Sequence, residues 1–98
     1  MNNRQRKKYG KQRIKPRELW GLDYTIAKFV YPRLKAFKKI CDTYPSNLSS
    51  FKEWQEILDK MILAFELLYE DRLYSDEEQI KINEGLKLFA EYYQCLWY

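Results

Sequence analysis

Leu19–Cys41, LWGLDYTIAKFVYPRLKAFKKIC, carries an apolar face, a basic face and a proline in one stretch, and its reading decides the fold. At about 100° per residue, Leu19, Leu22, Ile26, Val30, Leu34, Phe37 and Ile40 fall on one side of a helix. Lys28, Lys35, Lys38 and Lys39 fall on the other, with Tyr24 and Tyr31 among them. The first side is fitted to a core, the second to water or to an anion. Asp23 and Arg33 land within the apolar side, where charged groups need partners. They stand too far apart along a straight helix to pair directly, which leaves two readings. They are either structural ions paired with another helix or subunit, or the polar residues of a pocket at Pro32. A proline in a helix interior costs about 3 kcal/mol, so the first helix is expected to kink or split at Pro32. The stripe stays in phase on both sides of it, which favours the kink.

Two further helices follow from capping signals. Thr43–Ser49 reads as a connection, and Ser50 with Glu53 has the spacing of a capping box, in which hydroxyl and carboxylate satisfy unpaired backbone donors. Phe51, Trp54, Leu58, Met61, Phe65 and Leu68 then make a stripe widened by Ile57, Ile62 and Tyr69, as in a helix packed on two neighbours. Asp71–Tyr74 is the second connection. Ser75 and Glu78 repeat the capping spacing, and Ile82, Leu86, Phe89, Tyr93 and Leu96 form the last stripe. Gly85 inside it costs about 1 kcal/mol against alanine, which points to a close helix approach. The expected fold is all-α: a three-helix up-down-up bundle over residues 18–98, preceded by a basic arm over residues 1–17.

The arm holds Arg4, Arg6, Lys7, Lys8, Lys11, Arg13, Lys15 and Arg17 and no acid, whereas residues 18–98 carry ten basic and fourteen acidic residues. The overall charge of +4 therefore comes from the arm alone. With almost no apolar side chains to bury, the arm is expected to be flexible and able to neutralise phosphates. The competing reading is a solubilising tail. Tyr24, Lys28, Tyr31, Lys35 and Lys38 interleave cations with flat rings on one helical face, a combination that pairs phosphates and stacks bases. The competing reading there is a solvated face with lysine stems lying on neighbouring surface.

Composition narrows the function classes. The chain has no histidine and only two cysteines, Cys41 and Cys95, so the commonest general base is missing and neither a disulfide framework nor a metal-ligand spacing is present. The thiols are expected to be free, although parallel first and third helices would bring them to one end. Glu53 and Glu56 supply the ExxE spacing of magnesium-dependent nucleotide pyrophosphohydrolases, but no ExxD pair follows on a facing helix and Glu53 is better used as a cap. No catalytic residue, metal site or cofactor is expected. No apolar run approaches the roughly 20 residues of a membrane span. Aromatic residues at 17% exceed what a small core needs, which points to self-association.

Three runs together resemble a family. WGLDYTIAKFVYPRLKAF (Trp20–Phe37), EWQEILDKMILAFELL (Glu53–Leu68) and EGLKLFAEYYQCLW (Glu84–Trp97) are similar to a group of small all-helical proteins encoded by bacteriophages and prophages. The likeness spans roughly residues 19–98 and omits the arm. That group has no assigned activity, so no site residue carries over. The resemblance implies a phage accessory protein in the host cytoplasm, in a class that often antagonises host defence. The expected function is non-enzymatic binding or sequestration of an anionic nucleotide-type ligand, or of nucleic acid, by a homo-oligomer. The alternative is a protein-interaction module that inhibits a host protein through its aromatic surface.

Overall fold

The computed structural model describes residues 14–97, which form helices and connections and contain no strand. The arm positions Arg4, Arg6, Lys7, Lys8, Lys11 and Arg13 lie outside the described residues. The four α-helices are α1 (Pro16–Trp20), α2 (Leu22–Ile40), α3 (Phe51–Tyr69) and α4 (Asp76–Glu91), and a 3₁₀ turn spans Tyr93–Cys95.

The boundary drawn at residue 17 falls inside α1. Pro16 opens that helix at the position where a missing amide hydrogen costs nothing. The Glu18 carboxylate accepts from the Lys15 amide at 3.0 Å. The interruption of the Leu19–Cys41 stretch lies at Gly21 and not at Pro32. Gly21 donates its amide to the Arg17 carbonyl at 3.3 Å, closing α1, and accepts from the Thr25 amide at 2.9 Å, opening α2. Pro32 sits within α2, which runs through it unbroken. Proline removes the donor that would pair with the Lys28 carbonyl. Beside that gap, the Arg33 guanidinium donates to the Phe29 carbonyl at 3.0 Å.

The buried face of α2 is turned by roughly a quarter turn from the stripe that hydropathy draws. Ala27 (1% exposed) and Leu34 (5%) are buried, with Cys41 continuing their seven-residue spacing. Val30, Tyr31 and Phe37 pack beside them, while Leu19, Leu22, Ile26 and Ile40 face outward. The physical reason is contact with α3. Tyr24 stacks on Tyr69 with ring centroids 5.5 Å apart, Tyr31 meets the same ring at 6.1 Å, and Lys38 pairs with Asp59. The two large rings packed on Tyr69 set the face, and the solvent-exposed Lys38–Asp59 pair adds little beside them.

The core centres on α3, whose Trp54, Leu58, Met61, Ala64, Phe65 and Leu67 are buried. The Ser50 hydroxyl accepts from the Glu53 amide at 3.2 Å, while the Glu53 carboxylate turns to Ser49, accepting from its hydroxyl at 2.7 Å. The same carboxylate also accepts from the Ser49 amide at 3.1 Å, and these bonds, the hydroxyl's first, hold the Glu53 pKa below the usual value. On α4, Ile82 and Gly85 are buried and Phe89 packs edge-on to Phe65, with centroids 4.9 Å apart. Tyr92 is the buried ring at this end, edge-on to Trp54 at 5.5 Å, whereas Tyr93 is exposed. A Cβ built on Gly85 would stand 2.3 Å from the Ala64 Cβ and 2.5 Å from the Lys60 carbonyl oxygen. Among the described residues α3 packs against both long neighbours, and no Cα of α2 comes within 8 Å of one in α4.

Candidate anion-binding groove

Gly21 lets the chain turn from α1 into α2, and a groove of about 600 Å³ lies between the two helices. The Thr25 hydroxyl fixes their relation by donating to the Glu18 carbonyl at 3.3 Å. Arg17 and Glu18 line the groove from α1, and Tyr24, Lys28, Phe29 and Arg33 line it from α2. Tyr24 with Lys28 and Phe29 with Arg33 are two four-residue pairs on adjoining ridges, so one side of the helix presents all of them.

Three cations, one carboxylate and two rings therefore share one concavity. The Arg33 guanidinium lies 3.8 Å from the Phe29 ring centroid, a cation–π contact that holds its plane against the groove wall. Tyr24 lines the groove while its ring stacks on Tyr69. Electrostatic interaction with the adjoining Tyr69, followed by partial burial, raises the Tyr24 pKa. An arrangement of guanidinium, ammonium, phenol and flat ring is suited to a ligand with negative charge on one part and an aromatic system on another.

The structure brings together only some of the residues singled out by sequence. Tyr24 and Lys28 meet Arg33 and Arg17 in the groove. Tyr31, Lys35 and Lys38 do not line it: Lys35 lies over the Tyr31 ring at 5.3 Å, Tyr31 leans on Tyr69, and Lys38 is held by Asp59. Asp23 and Arg33 are both exposed, and of the two only Arg33 lines the groove. Lys15 lies at the N-terminal boundary of α1 and is exposed. Glu18, Thr25 and Phe29 were missed. The signal for Phe29 was present in its spacing, since an aromatic four residues before an arginine shares its helix face.

Among the described residues no group of three or more His, Cys, Asp or Glu side chains stands where it could hold a metal ion. No helix among them is long and apolar enough to cross a membrane. No protein-family model, curated protein or solved structure matches the chain.

Proposed function

We propose that this protein is a non-enzymatic phage accessory protein that binds an anionic nucleotide-type ligand in the groove between α1 and α2. The observation that carries the reading is the convergence of Arg17, Lys28 and Arg33 with Tyr24 and Phe29. The cations pair phosphate oxygens, and Phe29, 58% exposed, is the ring on which a base can stack, since the Tyr24 face is taken by Tyr69. Arg17 is also the last cation of the basic arm, so a nucleic-acid strand with one base in the groove can lay its following phosphates along the arm. The phage origin, the host-cytoplasmic setting and the action against host defence rest on the sequence resemblance. The order of contacts supports an up-down-up succession of α2, α3 and α4. Tyr24 meets Tyr69 and Lys38 meets Asp59, while Lys60 meets Glu84 and Trp54 meets Tyr92.

Isothermal calorimetry with mononucleotides, cyclic nucleotides and short single-stranded oligonucleotides tests the reading. Binding is expected, and Arg33→Ala and Lys28→Ala should each weaken it about tenfold, the worth of one charge-assisted hydrogen bond. Heat from none of the ligands rules the reading out. A second reading, docking of a host protein, is favoured by Trp20 at 94% exposed beside exposed Leu19, Leu22 and Ile26. Nucleotide binding indifferent to both variants would shift the balance to that surface.

A further inference from the structure

At the opposite end of α2 a smaller pocket of about 310 Å³ is lined mainly by apolar surface from Tyr44, Pro45, Trp54 and Trp97. Cys41 and Cys95, the two cysteines of the whole chain, both line it. Cys41 terminates α2 and is buried, its thiol donating to the Thr43 carbonyl at 3.2 Å. Cys95 ends the 3₁₀ turn after α4, is partly exposed, and packs against the buried cluster that contains Cys41. The bodies of α2 and α4 make no backbone approach within 8 Å among the described residues, so this pocket is where the first long helix and the end of the chain come together.

We propose that Cys41 and Cys95 are a redox-modification site that closes to an intramolecular disulfide on exposure to a peroxide. The partly exposed Cys95 thiolate attacks one peroxide oxygen, the O–O bond breaks, and a sulfenic acid forms with release of one water after proton uptake. Cys41 then displaces the hydroxyl of the sulfenic acid, forming the S–S bond and a second water. Each peroxide thus takes two electrons from the two thiols, and an added dithiol returns them. The order follows accessibility, since oxidation selects the more exposed thiol. A bond here spans all of α3 and α4 and ties α2 to the final turn, the kind of long loop closure that restricts an unfolded chain most.

The full-length protein, treated with one equivalent of hydrogen peroxide and then alkylated in denaturant, should lose both alkylatable thiols. Its mass should fall by two hydrogen atoms, it should remain a monomer on a non-reducing denaturing gel, and its melting temperature should rise until dithiothreitol is added. Cys41→Ser should leave Cys95 as a dimedone-reactive sulfenic acid, and Cys95→Ser should leave Cys41 reacting more slowly than Cys95 does. Two thiols that stay alkylatable, a bond formed only between chains, or a melting temperature unchanged by oxidation would each overturn the proposal.

Discussion

Arg72 shows how much a single side chain can organise in the connection between α3 and α4. Its guanidinium donates to Glu70 at 2.7 Å and grips Glu78, and its plane lies 5.4 Å from the Tyr74 ring centroid. Tyr74 in turn donates its hydroxyl to the Leu67 carbonyl at 2.6 Å, closing the turn in which Asp71 adopts a positive φ of 50°. Glu78 also completes the capping box of α4. It accepts from the Ser75 amide at 3.0 Å while its own amide donates to the Ser75 hydroxyl at 3.2 Å. The Arg72 hydrogen bonds, followed by that from the Ser75 amide, lower the Glu78 pKa from about 4.5 to about 2. A carboxylate with a depressed folded value contributes stability above its unfolded value and loses it as pH falls through the folded one. The protein should therefore lose part of its urea resistance between about pH 4.5 and pH 2. Glu78→Gln should flatten that segment of the profile, and a profile identical to the parent's would show that the carboxylate does not contribute.

At the scale of the elements, the approach of α3 and α4 is set by what Gly85 lacks. Alanine is the better helix former by about 1 kcal/mol, which by itself argues that Gly85→Ala should stabilise α4. The contact with α3 decides otherwise, because the added Cβ would stand 2.5 Å from a main-chain oxygen of Lys60 that cannot rotate away. Overpacking of this kind costs about 1–3 kcal/mol. Gly85→Ala should thus destabilise the protein by up to about 2 kcal/mol net of the propensity gain, read as a lower midpoint in urea. A stabilised variant would mean that the two helices stand further apart. The Lys60–Glu84 pair at 2.8 Å flanks this contact, but both side chains are half exposed, so it adds little beside the packing.

Much of this was legible in the chain. The capping spacings at Ser50 and Ser75 located the starts of α3 and α4, because the cap and the first turn are local chemistry that hydrogen-bonds within a few residues. Gly85 announced a close approach for the same reason that it conflicts with propensity. The face of α2 was not legible. Hydropathy ranks leucine and isoleucine above alanine and tyrosine, yet which side of a helix is buried depends on the shape of the surface it meets. Here Tyr69 on α3 selects the face that carries Tyr24 and Tyr31.

At the scale of the whole molecule, that rotation leaves apolar side chains outside. Leu19, Leu22, Ile26 and Phe29 stand exposed along α1 and α2, a contiguous run of the kind that marks an association surface. The surplus of aromatics already pointed to a homo-oligomer, and this run is where a second copy would be expected to pack. Sedimentation velocity should detect a species heavier than the monomer at micromolar concentration, and Ile26→Lys should return it to monomer. A parent protein that is monomeric across that range rules the expected homo-oligomer out. The groove and this apolar run share Phe29, so ligand and association should compete or cooperate, and sedimentation with and without a bound oligonucleotide distinguishes the two.

By itself the sequence determined the helical class, the two capped helix starts, the central position of α3 and the segregation of positive charge towards the N-terminus. Each of these is written in periodicity, capping chemistry or composition, which act over a few residues or over none at all. Tertiary structure alone decided that the first helix breaks at Gly21, that α2 turns its tyrosines inward, and that Arg17, Lys28 and Arg33 share a groove with Phe29. Those outcomes depend on side chains far apart in the chain competing for the same space, and no local pattern encodes which of them wins.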